Sequence, residues 1–298
     1  MDNICQKVFC LDFILNMITP ISYNRPYISS PQKVQQPSFG SNYRSYELPS
    51  GGFVSCFSCT FRNDIAWPNF VNYINKNFEG KEKVNVINAA CSDGSEVYSL
   101  LITMNEKLKG KQFQKFLPIQ ALDCDEAILK VAKSGYLSVT DADLHKIKSN
   151  TENEFKYIRM IDNKFAVRIE NDETQDLRQM VKIDKCLRNN VRFQQKDVFD
   201  VLKNLEDDSN TILMFRNALG HLGNGKANKF AKLASEKLKD GSLVVVGTFD
   251  IDNTDIHKYL TKRGFKYVMQ NVYRKGSDIL PQKPTILDRI KNIFKRDK

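Results

Sequence analysis

The feature that most limits how this chain can fold is a repeated unit: a short apolar run, a turn carrying glycine or aspartate, then a helical pattern. Residues 84–90 form the first run and Cys91-Ser92-Asp93-Gly94-Ser95 the turn. A helix is expected from residue 96 to about 109, with Val97, Leu100, Leu101, Met104 and Leu108 on one face. Residues 119–122 form a second run ending in Asp123-Cys124-Asp125, and residues 126–134 a helix that turns Ile128, Leu129 and Ala132 inward. Further strands are expected at 191–195, 211–215 and 242–249, helices at 226–237 and 256–262, and a closing pair of short strands over 265–274. Gly241, after Lys239-Asp240, stands where a helix turns into a strand. Such alternation gives a parallel sheet with helices on both faces, an α/β class. Residues 155–183 break it with short alternating segments around Asp162-Asn163. They are expected to form a small antiparallel β appendage that starts near residue 150 and rejoins the main sheet at Val191.

The ends differ from the middle. Pro20, Pro26, Pro31, Pro37 and Pro49 punctuate a polar stretch that can hold neither a helix nor an interior strand, so residues 1–58 read as an extended arm. Within it, residues 8–18 suggest a short amphipathic helix, broken by Asp12 and Asn16 and poor as a signal peptide. Residues 59–275 read as one sheet-based domain carrying the 150–190 appendage, and 276–298 as a basic tail. In that tail Ile286, Leu287, Ile290, Ile293 and Phe294 recur at helical spacing among Lys and Arg, read as a helix docked on the domain in preference to one lying at a membrane surface.

Composition excludes several classes. Of 298 residues 41% are hydrophobic, enough for a core, and no run approaches the ~20 apolar residues of a bilayer span. The net charge of +10 comes from 32 Lys and 13 Arg against 35 acids. A surplus made mostly of Lys lacks the bidentate Arg that reads phosphates and guanine edges, which argues for solubility rather than a nucleic-acid face. Seven scattered Cys, with one CxxC at Cys56–Cys59 and no partner pair, fit reduced thiols in a cytosolic protein and no metal site.

Ligands of an open parallel sheet bind beyond the carboxyl ends of the strands, where the strand order reverses. Three features of this chain should meet there. Ala90, Ser92 and Gly94 keep the first turn small enough for backbone to approach a ligand, and the following helix, with Glu96 in its first turn, offers free N–H groups. Asp123, ending the second strand, is placed to accept from both hydroxyls of a ribose, and Asp197, ending the third, to meet the exocyclic amine of an adenine. A strand-end aspartate is most often a helix N-cap, so the three features point to a ligand only in combination and in this order. A ribose-binding acid without a GxGxxG loop points away from a dinucleotide and toward S-adenosyl-L-methionine, which has no pyrophosphate to cradle.

The run Asn88-Ala89-Ala90-Cys91-Ser92-Asp93-Gly94-Ser95-Glu96-Val97-Tyr98-Ser99-Leu100 resembles the glycine-loop motif of the CheR-type chemotaxis receptor methyltransferases. Ala121-Leu122-Asp123-Cys124-Asp125, Ala132-Lys133-Ser134-Gly135-Tyr136, Val191-Arg192-Phe193 with Asp197-Val198, and Leu238-Lys239-Asp240-Gly241 resemble further motifs of that family in its order. So do Phe215-Arg216-Asn217-Ala218-Leu219-Gly220-His221-Leu222 and Cys59-Thr60-Phe61-Arg62-Asn63-Asp64; the likeness covers roughly residues 59–275. It implies a Rossmann-like class I S-adenosylmethionine-dependent methyltransferase sheet with a small antiparallel β insertion, transferring a methyl group to a protein glutamate carboxylate. Under it, Arg62 lies near the methionine carboxylate and the incoming acid, and Ala90 and Glu96 border the methionyl group. Asp123 holds the ribose, Asp197 with Val198 the adenine, and Arg216 and Asn217 the floor of the pocket below the methyl. His221 takes the place of the family Tyr that would position the substrate acid. The partner implied is an acidic protein segment, such as one from a chemoreceptor, met by a cytoplasmic monomer.

The chain departs from the family pattern in having His221 where the family has Tyr, Gly220 for an apolar residue, Ser95-Glu96 for Glu-Glu, and Val97 for Pro. Residues 1–58 also offer no counterpart of the family's helical N-terminal domain. Two rival readings follow: a catalytically quiet cofactor-binding adaptor or sensor, and a methyltransferase with an RNA or small-molecule acceptor. Tyr98 and Tyr136 read as core aromatics, and His145 and His257 as solvated.

Overall fold

The computed structural model describes residues 43–47, 53–161, 165–168, 175–205 and 210–276. The predicted helices at 8–18 and 286–298 lie outside the described residues. In the arm, β1 (Tyr43–Glu47) and β2 (Phe53–Phe57) pair antiparallel as a two-stranded ribbon of their own. The first helix, α1 (Trp67–Asn77), starts with a proline in its first turn, where the missing N–H is no loss, and buries Trp67, Phe70, Val71 and Ile74.

The repeating units then follow in order. They are β3 (Asn85–Ala89), α2 (Ser95–Lys107), α3 (Lys111–Gln114), β4 (Ile119–Asp123) and α4 (Glu126–Ser134). Alternate residues of β3 serve opposite layers. Val86 belongs to the core under α1, α2 and α4, while Ile87 and Ala89 belong to the core on the other face. Helix α4 has a strong sequence grammar: Asp125 caps its start by accepting from Ala127 N at 2.8 Å, and Gly135 closes it at φ 71°.

The appendage begins earlier than the expected residue 150. Directly after Gly135 come β5 (Tyr136–Thr140) and α5 (Asp141–Ser149), then β6 (Ile158–Met160), β7 (Phe165–Arg168) and β8 (Gln175–Ile183). β8 pairs antiparallel with β5, β6 and β7, so a hydrogen-bonding edge forty residues downstream draws residues 136–140 into the appendage. The expected strand at 155–161 is shorter, because Glu154–Lys156 form a 3-10 turn and Phe155 is exposed. The return is through α6 (Lys185–Arg188).

The chain then adds β9 (Val191–Gln195), α7 (Val198–Lys203), β10 (Thr211–Phe215), α8 (Leu219–Lys237) and β11 (Leu243–Val245). It ends in α9 (Thr248–Asn253), α10 (Ile256–Thr261), β12 (Phe265–Met269) and β13 (Val272–Lys275). Two expectations shift here. Helix α8 starts at Leu219 rather than 226, across a kink at Gly223, and the strand expected over 242–249 stops at Val245 before α9.

The seven-stranded sheet has the order β12-β13-β11-β10-β3-β4-β9. β11, β10, β3, β4 and β9 run parallel, and β13 and β12 close the sheet antiparallel. From β3 the chain builds outward through β4 to β9, then returns to lay β10 on the other side of β3. The order therefore reverses between β3 and β10, and the carboxyl ends of these two strands are where a ligand is expected. No helix among the described residues is long and apolar enough to cross a membrane.

Candidate active site

The turn after β3 is unusual backbone. Ala90, Ser92 and Gly94 all have positive φ, at 52°, 53° and 85°. Two non-glycine residues in this region cost strain that the surroundings must hold. The restraint is visible: Cys91 N donates to Leu122 O at 2.9 Å, Gly94 N to Cys91 O at 2.9 Å, and Ser92 N to Asp123 Oδ2 at 2.9 Å. Asp123 also accepts from Asp125 N at 3.1 Å, so one half-buried carboxylate ties the ends of β3 and β4 together. Ala90 is exposed at the crest of the turn. Beneath it Cys91 is buried; burial, then Asp123 and Asp93, push its thiol well above the usual range, so the turn brings no thiolate.

A charged cluster stands across the switch point. Arg216, immediately after β10, has a fully buried side chain that ion-pairs with both Asp64 and Glu96. Its guanidinium lies 5.4 Å from the centre of the Trp67 ring. The second oxygen of Glu96 accepts from Asn88 Nδ2 at 2.6 Å, and the second oxygen of Asp64 from Asn217 Nδ2 at 3.3 Å. One cation between two carboxylates leaves this cluster with a net negative charge that Asn88 and Asn217 only partly offset. A ligand carrying an ammonium and a sulfonium is suited to such surroundings.

Asn217 is held with equal care. It sits at φ 56°, donates its backbone N–H to Asp250 Oδ2 at 2.7 Å and accepts at Oδ1 from Phe249 N at 3.3 Å. Gly247 is the residue that permits this: a Cβ there would lie 2.1 Å from Asn217 Oδ1 and 2.6 Å from Asn217 N. Gly247→Ala should therefore destabilise the fold by about 1–3 kcal/mol through overpacking. Gly225→Ala, in α8 with nothing within 4 Å, should stabilise it by about 0.5–1 kcal/mol. Urea unfolding of the two variants reads opposite shifts of the midpoint; equal shifts would remove the Asn217 argument.

The other predicted site residues are placed as follows. Arg62 is half-buried and donates to Phe57 O at 3.3 Å, apart from the Arg216 cluster, although Asp64 in the same segment joins that cluster. Its segment is pinned by Phe61 N donating to Ser99 Oγ at 2.8 Å and by Thr60 donating to buried Asp143 of the appendage. Asp197 is exposed and caps α7, accepting from Phe199 N at 2.6 Å; Val198 is a buried core residue. A cavity of about 680 Å³ lies beside it, lined also by Asn85, Gln120, Gln195 and Asp200. Of the predicted site residues only Asp197 lines that cavity, so it does not open over the β3 turn. His221 is exposed, its ring 4.6 Å from that of Phe249. Gly220 follows from the same ring, since a Cβ there would meet Phe249 Cε1 at 2.5 Å. The departures at positions 220 and 221 are thus one packing unit with Phe249.

Asp64, Asn88 and Asp250 belong to the site, and none was singled out from the sequence. Asn88 interrupts an apolar strand, and that interruption is the signal it offered. The fit to S-adenosylmethionine can be tested on orphaned atoms: Asn88 Oδ1 and Ser92 Oγ, both buried, have no hydrogen-bond partner in the fold. Both belong to the β3 strand and turn, where a polar ligand would complete them.

Comparison with known proteins agrees with this geometry. The family model for the CheR methyltransferase S-adenosylmethionine-binding domain matches residues 57–258, more than half of the chain. No curated protein matches it. Among solved structures, monomeric WbdD is similar at 10% identity and a TM-score of 0.37, with 70% of this chain and 41% of that one covered. This chain thus spans about two fifths of the length of that relative. A putative S-adenosyl-L-methionine-dependent methyltransferase from Methanococcus maripaludis is similar at 13% identity and TM-score 0.37, with 71% and 86% covered. Precorrin-6y C5,15-methyltransferase from Geobacter metallireducens is similar at 10% identity and TM-score 0.37, with 74% and 94% covered. Likeness of this degree carries no argument about the acceptor. The family match and the observed sheet do carry one about the domain: the chain belongs to the CheR methyltransferase family, and its sheet domain binds S-adenosylmethionine.

Proposed function

We propose that the chain methylates a glutamate side chain of a protein, forming a methyl ester. The observation that carries this reading is the buried Arg216 cluster at the switch point, joined to a segment that includes Arg62 and Asp64. Bound S-adenosylmethionine supplies an electrophilic methyl group on a sulfonium centre. Asp123 would hold its ribose, Glu96 its ammonium, and the N–H groups at the start of α2 its carboxylate. A glutamate is ionised at neutral pH (reference pKa about 4.3), so its oxygen needs no general base. What the protein must do is orient that oxygen and keep water out, and the cationic side chain free to meet it is the half-buried Arg62, since Arg216 is enclosed by its two carboxylates.

The acidic acceptor segment proposed here suits Arg62, a half-buried cation two residues before Asp64 of the cluster. Calorimetry with S-adenosylhomocysteine and the intact chain should show binding that falls at least tenfold in Asp123→Ala, as expected for a lost charge-assisted hydrogen bond. A methyl label transferred to a protein and released by mild base would identify the ester. A base-stable label would move the acceptor to nitrogen or nucleic acid. Binding without any transfer to protein would favour the adaptor reading, which His221 in place of the family Tyr keeps open.

A further inference from the structure

Arg62 is carried by a strained turn, Thr60-Phe61-Arg62. Phe61, at its centre, has φ 46°. A bulky residue enters this region only where its surroundings impose it. Those surroundings are in place on one side: Phe61 is 2% exposed, and its N–H donates to Ser99 Oγ at 2.8 Å. Its ring meets that of Trp67 edge-on at 6.1 Å, and Trp67 Nε1 donates to Arg62 O at 3.2 Å.

The other end of the turn is held from the appendage. Asp143, buried in α5, divides its carboxyl between two segments of the chain. Oδ1 accepts from Thr60 N at 3.2 Å and from Thr60 Oγ1 at 2.9 Å. Oδ2 accepts from Thr140 N at 3.2 Å and from Thr140 Oγ1 at 3.3 Å. Asp143 is itself fixed, since its N–H donates to Thr140 Oγ1 at 3.1 Å and closes the capping box of α5. Asp64, two residues beyond Arg62, has an anchor of its own: Asn271 Nδ2 donates to Asp64 O at 2.8 Å. A bond needed only to tie the chain down would serve as well on relaxed backbone. Asp143 acts instead on the residue before the strained one, and Arg62 is next in line.

We propose that Asp143 is a positioning residue for Arg62, which makes the appendage part of the acceptor side of the site. This rests on the reading of Arg62 as the cation that meets the acceptor carboxylate. Asp143 acts through Thr60 and the strained turn, and not by contact with an acceptor. Without it the turn keeps its Trp67 side and loses its Thr60 side, so Phe61 can relax and carry Arg62 out of place.

The test uses the full chain and its one tryptophan, Trp67, whose indole N–H is bonded to the turn. Hydrogen exchange at that N–H is measured against the backbone amides of buried β10, which divides out global unfolding. Asp143→Ala should raise it about tenfold, the factor that one lost hydrogen bond represents. Thr140→Ala removes the cap of α5 but leaves both bonds from Thr60 to Asp143. It should lower the urea midpoint and leave the Trp67 ratio at its wild-type value. With an acceptor protein, Asp143→Ala should raise the acceptor KM about tenfold at little cost in kcat, and Thr140→Ala should change neither. A wild-type Trp67 ratio in Asp143→Ala, an equal rise in Thr140→Ala, or an unchanged acceptor KM would each overturn the proposal. A wild type that moves no methyl group to protein would remove the acceptor reading, while the Trp67 ratio would still decide whether Asp143 holds the turn.

Discussion

Replacing Arg216 by Met is expected to destabilise the domain by about 3–5 kcal/mol and to abolish S-adenosylhomocysteine binding. The reason is asymmetric. Arg216 neutralises two carboxylates that are themselves largely shielded, the side chains of Asp64 and Glu96 being 11% and 18% exposed. Removing the cation leaves two like charges facing each other in a poorly solvated site, which costs far more than the intact cluster gains. Arg216→Lys supplies the control, because it restores the charge but not the two-pronged geometry. Urea unfolding should rank the variants wild type, Lys, then Met, and cofactor binding should follow that order. A Met variant within about 0.5 kcal/mol of wild type would place the cluster at the surface, as an exposed ion pair.

The parts of this molecule that could be read from sequence are those fixed by local grammar. β4, β9, β10 and α4 lie within a residue of their expected bounds; aspartate or glycine marks the ends of β4 and α4, and β10 is a largely apolar run buried along its whole length. The start of the appendage could not be read that way. Tyr136–Thr140 owes its conformation to β8, where Tyr136 faces Lys182, and no neighbouring residue announces that pairing. The end of β11 was hidden for a related reason. Val246 continues the apolar run, but Gly247 must turn aside for Asn217, thirty residues away in sequence.

The site divides along the same line. Asp123 was legible from its position at a strand end, and its carboxylate does tie the two turns together. The partners of Arg216 were not, since Glu96 and Asp64 lie 120 and 152 positions before it. Asp197 shows the limit of positional reasoning: the same strand-end place that suggests a ligand contact also makes it the cap of α7.

Asp250→Asn should lower kcat/KM about 100-fold while leaving the fold intact, the scale of loss expected when catalytic groups shift by about 1 Å. This buried carboxylate accepts from Asn217 N at 2.7 Å, Gly247 N at 2.8 Å and Gly220 N at 3.0 Å, so it holds the segment carrying Arg216, Asn217 and His221. An amide has one acceptor oxygen, and its NH2 must face at least one of these N–H groups, at about 1–3 kcal/mol for each donor left unpaired. Asp250 acts through that segment as a positioning residue, and its titration separates this role from a merely structural one. Burial pushes its carboxyl above the usual aspartate value of 3.8, against the opposing pull of the three N–H groups and Arg216. A raised folded-state pKa means that the native state takes up a proton before the unfolded state does. The stability contributed by this group is therefore fully present below the usual aspartate value and is lost as pH rises through the raised one. Asp250→Asn removes that term, so the stability of wild type relative to the variant should increase as pH falls through this window. Wild-type kcat/KM should fall over the same window, because the protonated carboxyl loses an acceptor. A variant with unchanged kcat/KM, or a stability difference that is flat with pH, would show that the Arg216–His221 segment is held without Asp250.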